Sequence, residues 1–254
     1  VRIRDATRDF RSAVSQLLTI MPATGNKSMS SINDRISIQV GLSGYSFKIE
    51  SDGQQTSSGW LAAESVFTVP QMQRRYDDVV LSVFTPYCTL VPENFHRPEM
   101  SRELLSEVVD LPEHSLVDYV AVPEFSAVMV FSTAIGGTLH KVVSESVLKV
   151  DGSKSPLLPE LYHMLKSVQD IPEYNRIIAS YMDGYLYLVI AQGRSLLLCN
   201  CFQAPDFTTA EYFIFLAMKK LQLNPEVSTI SFRTPLSEDD EMSLYRYFKH
   251  VEVL

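Results

Sequence analysis

From Arg35 to Gln54 the chain reads RISIQVGLSGYSFKIESDGQ, with apolar and polar residues alternating on either side of a glycine-containing turn. Ile36, Ile38, Val40 and Leu42 fall on one face of a strand, and Ser37, Gln39, Gly41 and Ser43 on the other. After the turn Tyr45, Phe47 and Ile49 alternate with Ser46, Lys48 and Glu50. A two-residue loop at Ser43-Gly44 sets Leu42 opposite Tyr45, so both apolar sets look to one side. Asp52-Gly53 supplies the next turn, and the prediction is a meander of three strands with one face on a core. The layout returns in RIIASYMDGYLYLVIAQGRS, Arg176 to Ser195, where Asp183-Gly184 and then Gly193 mark the turns. Its strands, YLYLVIA and LLLCNCF, are apolar on both faces, which predicts cover on both sides, from helices or from a partner subunit.

Downstream, Thr208-x-x-Glu211 reads as a capping box opening a helix with a stripe of Ala210, Ile214, Ala217 and Leu221, ended by Asn224-Pro225. A short strand follows at Ser228 to Phe232, then a helix capped by Ser237 with an acidic first turn, then a last strand at VEVL. The earlier half begins alike but is longer. It carries helix candidates over 70–77, 99–109 and 138–148 and strands near 79–91 and 117–132, so extra material is inserted there. DGSKSP, Asp151 to Pro156, marks a boundary, followed by a helix over 157–168. The expected division is 1–31, a helix from Phe10 to Met21 with a mobile polar segment; 32–152, a first half with an insertion; and 153–254, a second half.

A unit of three strands, helix, strand, helix, strand written twice resembles the ribonuclease-H-like halves of the actin, hexokinase and sugar-kinase superfamily. More narrowly, LSGYSFKI (Leu42 to Ile49), LLLCNCFQAPDFTTAEYFIFLAMKKLQLNPE (Leu196 to Glu226) and LYRYFKHV (Leu244 to Val251) resemble a bacterial family of unknown function whose members have an actin-like ATPase fold. The resemblance runs from about residue 33 to the end. The expected fold is therefore α/β: two ribonuclease-H-like halves, each a mixed five-stranded sheet with helices, in an actin-like arrangement.

Active members of that superfamily hold ATP with magnesium between the halves, and the resemblance says where to look. The first element is an Asp-x-Gly turn opening the first half; Gly41-Leu42-Ser43-Gly44 keeps the glycines and has no acid. A Gly-x-Ser-x-Gly nucleophile elbow is also excluded, because Tyr45 takes the place of the last glycine. The matching turn, Asp183-Gly184, offers a carboxylate and a glycine side by side, which is also a common way to build a tight hairpin. Where a glycine pair would admit adenosine stands Arg233-Thr234-Pro235-Leu236; Gly136-Gly137 lies in the other half and reads as a helix entry. No catalytic residue and no metal ligand is assigned, and Ser43, Gly44, Asp183, Gly184 and Arg233 are the candidate cleft residues.

Composition narrows the rest. A net charge of −8 with no basic run longer than the pairs Arg74-Arg75 and Lys219-Lys220 argues against nucleic acid as a partner. No apolar stretch reaches the ~20 residues that span a bilayer. Cys88, Cys199 and Cys201 are too few for a disulfide framework, which points to a reducing cytoplasm, and Cys199 and Cys201 read as inert core thiols. The five histidines are each at least 18 residues from the next, outside any local zinc spacing. GNKS, Gly25 to Ser28, lacks the leading glycine of a phosphate loop. Trp60 stays open between core and surface anchor, and the true N-terminus stays open because the first residue is Val. The leading expectation is a non-catalytic actin-like protein for protein–protein interaction or scaffolding, with an unknown protein partner, a homodimer through the second half and no cofactor. The alternative is a nucleotide- or sugar-phosphate-binding protein, or an ATPase using ATP and magnesium, with relocated ligand residues.

Overall fold

The computed structural model describes residues 34–135 and 137–254. The helix expected from Phe10 to Met21, the polar stretch after it with Gly25 to Ser28, and Gly136 lie outside the described residues.

The chain forms β1 (Arg35–Val40), β2 (Gly44–Ser51), β3 (Gln54–Ser57), β4 (Leu61–Ala62) and β5 (Asp78–Val83). An insertion follows with β6 (Cys88–Pro92), α1 (Ser101–Ser106), β7 (Asp118–Val122) and β8 (Ala127–Phe131), and then α2 (Leu139–Ser146), β9 (Leu157–Pro159) and α3 (Glu160–Ser167). The remainder is β10 (Asn175–Met182), β11 (Tyr185–Gln192), β12 (Ser195–Gln203), α4 (Phe207–Lys220), β13 (Thr229–Phe232), α5 (Glu238–Tyr245) and β14 (His250–Val253).

Two sheets share one plan. The first runs β3-β2-β1-β5-β9 with β4 added on β2, and the second runs β12-β11-β10-β13-β14. In each, three antiparallel strands lead into two parallel ones. The repeat seen in the sequence is thus a repeat of topology. The hairpin turns follow from their residues: Asp52-Gly53 and Asp183-Gly184 both adopt positive φ at both positions, as the right-handed twist of the flanking strands demands of a two-residue loop.

The faces of the sheets differ. In the first, Ile36, Ile38, Val40, Tyr45, Phe47, Val79 and Leu81 pack under α2 and two short 3-10 turns, while Ser37, Gln39, Ser46, Lys48 and Ser82 point the other way. The central strands of the second sheet, β10, β11 and β13, are buried on both sides, as their apolar sequences require. Ile177, Ala179, Leu186, Leu188 and Ile190 meet α4 and α5, and Ile178, Tyr187 and Val189 meet α3 and the three-stranded insert β6-β8-β7. The apolar faces that suggested a homodimer through the second half are therefore covered from within the chain.

Several local expectations are corrected. Val40, not Leu42, opposes Tyr45, so the first loop is longer than two residues and Leu42 sits at its exposed tip. Residues 157–159 form β9, the edge of the first sheet, because Pro159 starts α3 one turn later than the apolar pattern implied. That strand falls on the C-terminal side of the expected 152/153 boundary. The 70–77 helix shrinks to a 3-10 turn at Pro70–Gln73. α4 is capped by Asp206, whose carboxylate accepts from the Thr209 amide at 2.7 Å, and not by a box at Thr208. No helix among the described residues is long and apolar enough to cross a membrane.

Met164 of α3 is fully buried between the second sheet and the insert, so Met164→Ala is expected to cost about 2–5 kcal/mol in urea denaturation. Leu42→Ala, at a position 51% exposed, is expected to stay within about 0.5 kcal/mol.

Candidate functional site

The two sheets meet at one carboxylate. Glu160, the first residue of α3, is completely buried, and its position in the first turn suits the helix dipole. Its Oε1 accepts from Gln39 Nε2 of β1 at 2.9 Å, from Ser180 Oγ of β10 at 3.0 Å and from Arg233 Nε, just past β13, at 2.7 Å. Its Oε2 accepts from Ser82 Oγ of β5. Ser46 donates onward to Gln39 at 3.3 Å, and Arg233 Nη1 donates to Ser167 Oγ at 2.8 Å. Burial pushes the Glu160 carboxyl up, but the Arg233 guanidinium and the hydrogen bonds from Ser82 and Arg233 outweigh it and hold the group below the usual carboxylate range. His163, one turn along α3, donates from Nε2 to the Leu81 carbonyl at 3.1 Å, and burial lowers its pKa.

The tips of the two opening hairpins form a second contact. The Asp183 carboxylate accepts from the Leu42 amide at 2.7 Å and from Ser43 Oγ at 3.4 Å. Gly44 is required by crowding against backbone, and a side chain at Gly41 would displace the Asp183 carboxylate. A Cβ on Gly41 would lie 2.5 Å from Asp183 Oδ2, and one on Gly44 would lie 2.1 Å from the Leu61 carbonyl oxygen and 2.8 Å from Trp60 Nε1. Trp60 is thus a partly buried packing residue that lies over the glycine turn and against Phe84 at 6.2 Å between ring centroids. Gly184 has room around it and is needed for its φ of +77°.

Of the residues singled out in the sequence, Ser43, Gly44, Asp183 and Gly184 come together at the tips, and Arg233 lies in the Glu160 network instead. Its segment is pinned there by Arg233 N to the Ala179 carbonyl at 3.0 Å and by Tyr181 N to Thr234 Oγ1 at 3.0 Å. As arranged, the tips do not fit a magnesium nucleotide: the one carboxylate is engaged by the opposing turn, and the first turn's Leu42 amide is already taken. Gly137, φ +63°, precedes α2 and is remote in sequence from both turns.

A cleft of about 350 Å³ opens on the polar face of the first sheet, lined by Ser37, Gln39, Ser46 and Lys48, by His163 of α3 and by Arg233. Lys48 is partly buried, and its pKa is lowered by burial and by the Arg233 charge. Elsewhere, burial pushes the Cys199 and Cys201 thiols up to about 12, so both are protonated and unreactive at neutral pH. Among the described residues no three His, Cys, Asp or Glu side chains are placed to hold a metal. Sequence reasoning missed Glu160, Gln39, Ser82, Ser180 and Lys48. The one available signal was an isolated acid in the apolar run LLPELYHML.

Glu160→Ala removes the shared acceptor of Gln39, Ser82, Ser180 and the cleft-facing Arg233 and is expected to destabilise by about 1–3 kcal/mol in chemical denaturation. The Glu160 pKa is depressed in the folded state, so its stabilisation is present above the unfolded carboxylate pKa, about 4.3, and is lost as pH falls through the lower folded value. Urea melts from pH 7 to pH 3 are expected to show a steeper acid loss for the wild type than for Glu160→Gln.

No curated protein matches the chain. A solved Bacteroides thetaiotaomicron protein with an actin-like ATPase fold and unknown function is similar at TM-score 0.65 and 15% identity, over 89% of this chain and 94% of that one. A PilM-PilN type IV pilus biogenesis complex matches at TM-score 0.49 and 15% identity over 87% of this chain and 88% of that one. An Aquifex aeolicus PPX-GPPA enzyme matches at TM-score 0.31 and 10% identity over 79% and 67%. The last two likenesses are too loose to carry an argument. The first, together with the shared strand order of the two sheets, makes this an actin-like ATPase fold. Residues 8–251 match the family described as protein of unknown function (DUF3822), and the chain belongs to that family.

Proposed function

We propose that this chain is a non-catalytic member of the actin-like fold that works through protein–protein contacts, its nucleotide turns converted into structural closures. The observation that carries the reading is the Asp183 carboxylate bonded to the Leu42 amide at 2.7 Å. In a working site that carboxylate would face magnesium and those amides would face phosphate. Here each satisfies the other, and Trp60 crowds the turn from the side. Three free thiols, all partly buried, suit a reducing compartment. With magnesium and ATP, phosphate release is expected to match a protein-free blank in both wild type and Asp183→Ala. A magnesium-dependent rate that Asp183→Ala abolishes would overturn the reading.

One feature favours a second reading, a phosphate-bearing ligand held by relocated groups. Lys48 and Arg233 face the same cleft as like charges, only partly offset at Lys48 by Glu160 and Glu50, and among the described residues no carboxylate lies within ion-pair distance of Lys48. An anion between them would relieve the repulsion. ATP, GDP and sugar phosphates are then expected to raise the melting temperature by several degrees, corresponding to about 2.7 kcal/mol at ~100 times the dissociation constant. Lys48→Ala should remove the shift. A flat screen leaves the first reading standing alone.

A further inference from the structure

We propose that the outer edge of β12 docks a second copy of this chain, the two β12 strands pairing antiparallel about a twofold axis near Asn200 and joining two second sheets into one. The proposal is independent of how the hairpin tips are read, because it uses neither the cleft nor the turns.

A free edge presents unpaired N–H and C=O groups and is ordinarily kept short, charged or interrupted by proline. The other edges of this molecule follow that rule. β3 is four exposed polar residues, β9 is three residues ending in Pro159, and β14 is four residues carrying Glu252. In the insert, β6 ends in Pro92 and β7 begins with Asp118. β12 departs from it: nine residues, SLLLCNCFQ, with no charge and no proline. β3 occupies the same place in the first sheet, so the contrast arises between two copies of one unit.

β12 pairs with β11, and among the described residues no strand lies along its other edge. Its ladder is irregular between Ile190 and Ala191, near the Ser195 end, and regular from Leu198 to Gln203. The side chains are already occupied: Phe202 stacks on Phe213 of α4 at 4.8 Å, and Cys199 and Cys201 pack toward the insert. Among the described residues, the outer backbone edge of β12 is left without a strand partner, and another strand would supply one.

A second copy fits because the strand is neutral and self-complementary. A twofold perpendicular to the sheet pairs Leu198 with Phe202 of the other copy and sets the two exposed Asn200 side chains face to face, with no like charges opposed. It also keeps each α4 on the same side of the joined sheet.

Size-exclusion chromatography with light scattering of the full chain tests this. The wild type is expected at twice the 28.7 kDa chain mass. Asn200 is exposed, so Asn200→Lys should keep the circular-dichroism spectrum and melting behaviour while weakening the dimer by about tenfold or more through opposed like charges. Mixing Asn200→Lys with Asn200→Glu should restore a dimer of the two variants. A wild type that stays monomeric at every concentration overturns the proposal, even if it captures an extended peptide from another protein. So does a dimer that Asn200→Lys leaves intact.

Discussion

Burying a carboxylate is unfavourable unless donors surround it, and Glu160 draws its donors from both sheets at once. Gln39 and Ser82 come from the first sheet, Ser180 and Arg233 from the second, and the helix that carries Glu160 begins where the first sheet ends. The geometry is a constraint as much as an attraction. If the sheets shifted relative to each other, some donors would leave, and the cost of a bare charge in a dry site would return. The position of α3, and with it the cover over one face of the second sheet, follows from this point. So does the cleft beside it, since Arg233 cannot serve Glu160 without also presenting its charge to Lys48.

Around that point one unit has been elaborated twice in different directions. The first copy keeps a sheet with one apolar face and one polar face, and the polar face lines a cleft. The second is apolar on both faces and takes its extra cover from α3 and the insert, which belong to the chain before it. Strand order is set by local turns and by right-handed crossovers, so it survives such divergence. Which residues are polar on a given face depends on what covers that face, and the two copies therefore differ there.

The hairpin tips hold each other directly. Two turns that face each other across a gap carry complementary groups, amides on one and a carboxylate on the other. When the gap is small enough those groups satisfy each other, as Asp183 and Leu42 do. Gly44 then stays glycine because Trp60 and the Leu61 carbonyl leave no room for a side chain, and a side chain at Gly41 would displace the Asp183 carboxylate.

The alternation from Arg35 to Glu50, the positive-φ turns at Asp52-Gly53 and Asp183-Gly184, the two-sided burial of YLYLVIA and the Ser237 cap were all legible in the sequence, and with them the duplicated α/β fold. Each is encoded by neighbours within a few residues, where periodicity and turn chemistry act directly. The length of the first hairpin loop and the exact helix starts were less legible, since several turns fit the same glycines. Only the tertiary structure decided that Gln39 reaches Glu160 across 121 positions, that Asp183 reaches Leu42 across 141, and that Arg233 serves an ion pair. Those pairings are made by packing whole sheets against one another, and a lone glutamate or a lone arginine carries no local mark of the partner it will meet.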